Sequence, residues 1–263
     1  MQARQPVLFL SHGSPMTALG GDELSRTWAH LAERLARPAA ILMVSAHWNT
    51  RSPLLTGSAQ PETIHDFGGF PAELYQLRYP APGAPELAQQ IMEQLGKKGI
   101  AAGLDASRGL DHGAWVPLRI LFPNADVPVI QLSVQPELGA RHHYALGAAL
   151  AALADENILV IASGHLTHNL RDYMRPPAGE RPAAATRDFR EWVHTQLMSN
   201  NSEGLLDWEQ APGALYAHPS PEHFLPIFVA LGAAGENRQT EWLGGGWLDD
   251  ALAADNYLLT QAQ

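Results

Sequence analysis

The chain has 263 residues, which is long enough to bury a substantial core in one large α/β domain or two small ones. Its 27 acidic and 17 basic residues give a net charge of −10 at pH 7, and the basic residues are scattered along the chain, which argues against nucleic acid or an anionic membrane as a partner. There is no cysteine, so disulfides, thiolate metal sites and a cysteine nucleophile are excluded, and any metal must be bound by His, Asp or Glu.

The N-terminal stretch contains a short apolar run, Val7 to Leu10, preceded by a single basic residue. We interpret this run as a first strand and not as a signal peptide. No apolar run elsewhere approaches the roughly 20 residues that a membrane span requires. We therefore expect a soluble, cytoplasmic protein without a membrane partner.

Four short apolar runs have the length and composition of strands that are buried on both faces. These predicted strands cover residues 7–10, 40–46, 127–134 and 158–163. Amphipathic helical periodicity separates them and continues after the last one. The predicted helices cover residues 22–36, 84–99, 140–156, 182–199 and 220–235.

Helix start signals accompany two of these segments. Asp22 is placed to cap the first helix, and Ser220 is placed to cap the last, with Pro221 at its first position. Because strands and helices alternate, we predict an α/β fold with a mostly parallel central sheet flanked by helices, forming one domain over residues 1–263. The proline-rich segment 50–85 is predicted to be a long ordered excursion over the sheet, of the kind that often carries binding residues.

Several of the twelve histidines directly follow predicted strands. His12 follows the first strand, His47 follows the second, and both His165 and His168 follow the fourth. The carboxyl ends of parallel strands meet at one edge of the sheet, where ligands bind in open α/β folds. We therefore predict that imidazoles from three strands come together at that edge.

His223 is a further metal-ligand candidate, in the predicted first turn of a helix. The positive end of the helix dipole disfavours imidazolium there and keeps the ring neutral, as a ligand must be. Neutral imidazoles without thiolates suit Zn(II), Fe(II), Mn(II) or Cu(II), and three protein ligands leave positions open for substrate. The neighbouring Glu222 is an alternative ligand, since adjacent helical residues point about 100° apart and only one of the two can face the metal.

The remaining histidines divide into two groups. His65 either shapes a turn or contacts substrate, with Asp66 next to it to orient the ring, and His112 suits a polar position at the mouth of a pocket. Of the others, His218 is predicted to shape a turn. The remaining four are predicted on solvated helix faces: His30, His142, His143 and His194.

Six segments taken together resemble successive signatures of the 4,5-DOPA extradiol dioxygenase family, a branch of the class III extradiol dioxygenases related to the catalytic subunit of protocatechuate 4,5-dioxygenase. They run in order from residue 8 to about 227 and read LFLSHGSPM, VSAHW, TIHDFGGFPAELYQLRYPAPG, DHGAWVPL, ASGHLTHNL and PSPEHFLPI. The resemblance implies a non-haem Fe(II) held at His12, His47 and His223. The wider class typically has glutamate as the third ligand, which keeps Glu222 open as the alternative.

The reaction implied by this resemblance opens a catechol ring beside its two hydroxyls and inserts both atoms of O2. A histidine near the metal must accept a hydroxyl proton, and the matching position is His168, although the resemblance leaves open whether His168 also contacts the metal. It further implies that His112 hydrogen-bonds to substrate or oxygen. His165 is assigned at most a contact with substrate or with a residue next to it, and His65 stays a substrate-binding candidate on the grounds given above. Zn(II) outranks Fe(II) in affinity for such sites, so protein purified in air is expected to hold zinc.

Two other functions fit the same histidines. One is a zinc-dependent hydrolase in which His168 activates water, and the other is a non-catalytic metal-binding protein of the same fold. The HDFGGFP and LRYPAPG motifs favour the dioxygenase, because a bare metal site would not need them. Three arginines are candidates to bind a substrate carboxylate, and the oligomeric state is left open, a homo-oligomer included. These arginines are Arg78, Arg108 and Arg171.

Overall fold

The structure is a computed structural model that describes residues 4–174 and 179–261. The strands are β1 (Val7–Ser11), β2 (Ala40–Asn49), β3 (Leu54–Thr56), β4 (Gly103–Asp105), β5 (Val129–Val134), β6 (Ile158–Gly164), β7 (Arg238–Gly244), β8 (Trp247–Leu248), β9 (Leu252–Ala253) and β10 (Asn256–Gln261). The α-helices are α1 (Glu23–Arg34), α2 (Pro85–Lys97), α3 (His112–Leu121), α4 (Gly139–Ala149), α5 (Leu170–Met174), α6 (Ala184–Met198), α7 (Ser202–Leu206), α8 (Ala214–Ala217) and α9 (Pro226–Ala234).

Eight strands form one sheet in the order β4-β3-β5-β2-β6-β1-β10-β7. The central strands β5, β2, β6 and β1 are all parallel, whereas β10 is antiparallel to β1 and to β7. The predicted α/β fold with a mostly parallel sheet is confirmed. β7 and β10 are additions to the predicted strands, and β7 in particular is a mixed polar segment at the sheet edge that lacks a continuous apolar run.

Helices cover both faces of the sheet, because successive side chains of the central strands point to opposite faces. In β1, Val7 and Phe9 belong to one apolar cluster, which also contains α9, while Leu8 and Leu10 belong to the other, with residues of α1 and α3. All four side chains are at most 2% exposed. Burial on both faces explains why these strands were recognisable as short apolar runs. None of the described helices is both long and apolar enough to cross a membrane.

Helix boundaries differ from the predictions at two places. The last predicted helix begins at Pro226 and not at Pro221, and Ser220 does not cap it but donates a hydrogen bond to Glu222 at 2.9 Å. Proline suits a first helical position because its missing N–H is not needed there. The helix predicted over residues 140–156 ends as α4 at Ala149, and a 3-10 turn follows. Asp22 caps α1 as predicted, accepting a hydrogen bond from Ser25 N–H at 2.7 Å.

The predicted excursion over residues 50–85 is ordered and returns to the sheet. It contains β3 and a 3-10 turn, Ala72–Gln76. Beyond β3, Ile64 N–H donates to Leu110 O at 2.8 Å, which ties this segment to the residues just before α3. The segment therefore reaches the carboxyl ends of the strands.

The prediction of solvated helix faces is wrong for His143. Its ring is fully buried, with Nδ1 2.7 Å from Gly139 O and with Nε2 accepting the Gln135 N–H at 3.0 Å. His30 is exposed as predicted, and His218 ties down its turn through a 2.9 Å contact between Nε2 and Leu166 O. A histidine that satisfies buried backbone groups has the same helical spacing as a surface one, so the sequence pattern does not separate the two.

Candidate active site

Three imidazoles converge at the carboxyl edge of the sheet. The Nε2 atom of His47 lies 3.0 Å from Nε2 of His12 and 3.3 Å from Nε2 of His223. The sheet register explains the first pair, because β1 and β2 both flank β6. His12 directly follows β1, whereas His47 lies inside β2, which runs further than predicted.

His223 is brought to the other two by the end of β6. His165 N–H donates to His223 O at 2.8 Å, so the loop before α9 is attached to the turn after this strand. Gly164 makes the close approach possible, since a Cβ at this position would lie 2.2 Å from His223 O. The third imidazole therefore depends on a backbone contact that has no signal in the spacing of the histidines.

Each of the three rings has an oxygen beside its Nδ1 atom. His12 Nδ1 lies 3.1 Å from Ser163 Oγ, whose own hydrogen is donated to Gly113 O, so the imidazole must be the donor. His223 Nδ1 lies 3.0 Å from Glu222 Oε1, and His47 Nδ1 lies 3.6 Å from Asp66 Oδ2. The hydrogen bonds favour hydrogen on Nδ1 of His12 and of His223, and the charge of the Asp66 carboxylate favours it on Nδ1 of His47. The Nε2 lone pairs of the three rings then face one another.

Burial keeps these imidazoles neutral. It lowers the pKa of His12 and of His223 well below the ordinary value, and the neighbouring histidines lower both further. Burial also lowers the pKa of His47 to about 4, although the carboxylates of Asp111 and Asp66 act in the opposite direction. At neutral pH all three rings therefore have a free lone pair.

The donor set fits a divalent metal ion. Two metal–nitrogen bonds of about 2.1 Å span nitrogen separations of roughly 3.0 to 3.4 Å, which matches the distances from Nε2 of His47 to Nε2 of His12 and of His223. Among the described residues, the group of possible ligands that contains His12 and His47 is completed by His223 and not by Glu222. The Glu222 carboxylate instead lies on the Nδ1 side of the His223 ring.

His165 and His168 have different surroundings although they are three residues apart. The His165 ring is buried, its Nε2 accepts the Gly13 N–H at 3.1 Å, and its Nδ1 lies 3.3 Å from Ala253 O. The His168 ring is partly exposed and stacks on the His223 ring, with 3.4 Å between centroids. Within residues 4–174 and 179–261 we find no hydrogen bond to the His168 ring nitrogens. Both ring nitrogens of His165 thus contact backbone groups, whereas those of His168 can still bind a proton or a ligand.

His112 is the first residue of α3 and packs against His47, with 3.9 Å between the ring centroids. Its backbone N–H donates to Asp66 Oδ1 at 2.9 Å, and its Nδ1 lies 3.0 Å from the same oxygen. Burial alone would raise the pKa of Asp66, but the contacts with His112 and with His47 lower it to about 2. Asp66 is therefore ionised, and it faces His112 and His47 and not its sequence neighbour His65, which it was predicted to orient.

A cavity of about 360 Å³ opens in front of these histidines. Its walls combine the imidazoles with aromatic and aliphatic side chains, which suits a small aromatic molecule. The histidines that border it are His12, His47, His112, His165, His168 and His223, and the apolar residues are Pro15, Phe67, Phe70, Leu170, Leu248 and Leu252. Phe67 also packs edge-on against His112, with 5.8 Å between ring centroids.

The structure does not bring every candidate to the cavity. The His65 ring packs beside Trp115 with its Nε2 3.0 Å from Leu77 O, and it does not border the cavity. Arg78 donates to the backbone of its own loop, and Arg108 pairs with the buried Asp111 at 2.9 Å. Arg171 is exposed and, together with His168, borders a smaller cleft of about 240 Å³.

Three contributors to the site were missed by the sequence analysis in the roles they have here. Ser163 and Glu222 face metal-ligand candidates, and Asp66 faces two histidines at once. Glu222 could have been found from its adjacency to His223. The partners of Ser163 and Asp66 lie on other strands or loops, so their spacing along the chain contains no signal.

Comparison with known proteins shows similarity over nearly the whole chain. The family model described as the catalytic LigB subunit of aromatic ring-opening dioxygenase matches residues 6–260. A protein from Beta vulgaris named 4,5-DOPA dioxygenase extradiol is 44% identical over 257 residues, which cover 96% of this chain and 95% of that protein. A protein of the same name from Escherichia coli K12 is 42% identical over 233 residues, covering 88% of this chain and 85% of that protein. The crystal structure of an uncharacterized Escherichia coli K12 protein superimposes with a TM-score of 0.82 at 34% identity, covering 97% of this chain and 99% of that one.

Proposed function

Because the chain belongs to the family of the catalytic LigB subunit of aromatic ring-opening dioxygenases and is a ring-cleaving dioxygenase, we propose that it opens the ring of a catechol on the extradiol side, using O2. The observation that carries this proposal is the convergence of three Nε2 atoms on one wall of a cavity with aromatic walls. A catechol is a flat ring with two adjacent oxygens. Phe67 and Phe70 suit the ring, and the imidazoles suit the oxygens.

We propose Fe(II) as the metal of the active protein, held by His12, His47 and His223. Fe(II) bound there would supply a Lewis-acidic, redox-active centre for the catechol and for O2. Three neutral nitrogen ligands from the protein leave coordination positions open, as this chemistry requires. Since Zn(II) binds nitrogen sites more tightly than Fe(II), we expect zinc in protein isolated in air, and no ring cleavage until it is replaced.

His168 is the residue that we assign to proton transfer. Its ring borders the cavity, and burial together with His165 lowers its pKa to about 2, so it is neutral and able to accept a proton. A catechol that is losing its proton is an anion, and an anion beside the ring favours the imidazolium form. His168 therefore becomes a stronger base when substrate is bound than in the empty cavity.

His112 and His165 have supporting roles in this proposal. His112 borders the cavity and hydrogen-bonds to the substrate or to O2, while the Asp66 carboxylate lies 3.0 Å from Nδ1 on the other side of its ring. His165 fixes the Gly13 backbone next to the metal ligand His12. Of the three arginine candidates, Arg171 is the one we retain for a substrate carboxylate, because it shares a cleft with His168.

A reconstitution assay tests this function. The metal-free protein is loaded anaerobically with Fe(II), mixed in air with L-DOPA, caffeate or protocatechuate, and followed by O2 uptake and by the absorbance of a yellow ring-fission product. We expect both signals with at least one catechol, and neither with H12A, while H30A at an exposed helical histidine retains them. If iron-loaded protein consumes no oxygen with any member of a broad catechol panel, the proposal is wrong.

A further inference from the structure

Asp66 stands between two histidines that belong to different parts of the fold. Its Oδ1 accepts the His112 N–H at 2.9 Å and lies 3.0 Å from His112 Nδ1, and its Oδ2 lies 3.6 Å from His47 Nδ1. The carboxylate is 24% exposed, whereas the side chain of His112 is 8% exposed. One side chain from the loop after β3 thus contacts both β2 and the start of α3.

Neither ring contact has the geometry of a hydrogen bond, since His112 Nδ1 has no hydrogen-bond partner and the His47 contact is too long. The negative charge of the carboxylate nevertheless repels a nitrogen lone pair and favours a hydrogen on each nitrogen that faces it. We propose that Asp66 is a positioning residue that fixes His47 and His112 as their Nδ1–H tautomers. In His47 this leaves the Nε2 lone pair directed at His12 and His223, where a metal ligand needs it. In His112 it leaves Nε2 as an acceptor for a hydroxyl hydrogen of a bound molecule.

The same contact holds the loop over the cavity. Phe67 follows Asp66 in the chain, borders the cavity and packs edge-on against the His112 ring. The carboxylate therefore sets the orientation of His112 and the position of an aromatic wall at the same time. A bound aromatic ring would contact both, so Asp66 links the loop to the histidines that surround the substrate.

Substitution by asparagine separates the two contacts. The His112 N–H requires an oxygen at the Oδ1 position, so the side-chain amide of D66N has its oxygen towards His112 and its NH2 group towards His47. The amide oxygen then still accepts from the His112 N–H and faces the ring of His112, whereas an amide N–H faces Nδ1 of His47 and favours a lone pair there. D66N is therefore expected to keep the His112 tautomer and lose that of His47, whereas D66A loses both.

Nitrogen-15 NMR of the imidazole side chains in the metal-free, full-length protein measures these tautomers. We expect Nδ1–H for both rings in the wild type and in E62Q, a matched control at an exposed carboxylate four residues away in the same loop. D66N should change His47 alone, and D66A should change both rings. If both tautomers in D66A and D66N remain as in the wild type, the inference is wrong. Equal loss of both tautomers in D66N, with an unfolding transition like that of the wild type, would also overturn it.

The consequence for metal binding is measured separately with Zn(II) as the probe, by competition with a chelator. We expect the affinity to fall by about 10- to 100-fold in D66N and D66A, a typical effect of removing the partner of a metal-bound histidine, and to be unchanged in E62Q. Unchanged Zn(II) affinity in both Asp66 variants would contradict the role of His47. The catalytic consequence, a lower kcat for ring cleavage, rests on the proposed function, whereas the tautomers and the Zn(II) affinity do not. A failure of the proposed function would therefore change the kcat result alone, whereas a failure of the Asp66 inference would appear in the tautomers and in the Zn(II) affinity.

Discussion

At the scale of single residues, His165 and His168 show how the same side chain serves two purposes three residues apart. His165 has both ring nitrogens facing backbone groups of Gly13 and Ala253. His168 borders the cavity and stacks on the ring of His223. The first ring has no free nitrogen for chemistry in this conformation, and the second does.

Substitution of each of these histidines by glutamine should therefore give different defects. In H168Q we expect kcat to fall by about 100- to 10,000-fold, the usual contribution of a positioned acid or base, with iron content and thermal stability retained. In H165Q we expect a loss of about 1–3 kcal/mol in the free energy of unfolding, because the Gly13 N–H loses its acceptor.

Steady-state O2 uptake, iron analysis and urea unfolding of the two variants measure these effects. The assignment of the base would be wrong if H168Q turned over catechol at the wild-type rate while H165Q, correctly folded and loaded with iron, did not.

Residues that act through others were the hardest to predict. His12, His47 and His168 were recognisable because each lies at or near the end of an apolar strand. Asp66 was assigned to its sequence neighbour His65, yet it contacts His112 and His47, which are 46 and 19 positions away. Side-chain contacts between distant segments depend on how the loop after β3 folds back, and its sequence shows only that the loop is ordered.

At the scale of elements, the site depends on the approach of β6 to the loop before α9. The backbone at Gly164 lies so close to His223 O that a methyl group would be 2.2 Å from this oxygen. His165 N–H donates to the same oxygen at 2.8 Å. A bulkier residue at this strand end must displace the loop that contains the third imidazole.

G164A is therefore expected to lose about 1–3 kcal/mol of the free energy of unfolding, as forced overpacking typically does, and to bind Zn(II) more weakly. The matched control is G96A in α2, where a methyl group would have no atom within 4 Å. There we expect unchanged Zn(II) affinity and a gain of about 0.4–1 kcal/mol from the less flexible unfolded chain. Urea unfolding and Zn(II) titration compare the two variants. Equal Zn(II) affinity and equal stability in G164A and the wild type would show that the contact does not position His223.

Element types were easier to predict than element ends. The four central strands were found as apolar runs, since burial on both faces leaves a simple pattern. The start of α9 was predicted five residues early, because Ser220 and Pro221 form a plausible cap in sequence but belong to the loop that presents His223. β7 was missed because an edge strand of mixed polarity gives no such pattern. β10 was missed because its apolar run, Tyr257 to Leu259, is only three residues long, although it is buried between β1 and β7.

At the scale of the whole molecule, histidines other than the three proposed metal ligands are also buried in neutral form. Burial lowers the pKa of His143 to about 4, although its contact with Gly139 acts in the opposite direction, and it lowers the pKa of His218 to about 3. In the unfolded chain such groups titrate near about 6.5. The unfolded state therefore binds protons that the folded state does not when the pH falls below this value.

The contribution of these histidines to the free energy of unfolding of the metal-free protein should accordingly be complete above about pH 6.5. Between about pH 6.5 and pH 4 the free energy of unfolding should fall by roughly 1.4 kcal/mol per pH unit for each such histidine. H143Q should reduce this slope by about one proton, and H30Q, at an exposed helical position, should leave it as in the wild type. Urea unfolding at a series of pH values measures the slope. A stability that stays constant down to about pH 4 would contradict the neutral burial of these rings.

Insertion of both atoms of O2 into a catechol is the reaction that we propose for the histidine-lined cavity. Mass spectrometry of the product formed by iron-loaded protein under oxygen-18-labelled O2, with immediate borohydride reduction to prevent exchange of the aldehyde oxygen with water, tests it most directly. We predict a ring-opened product that contains two labelled oxygen atoms, and no such product from H12A. A product that contains no label from O2, or one labelled atom only after complete trapping, would contradict the account.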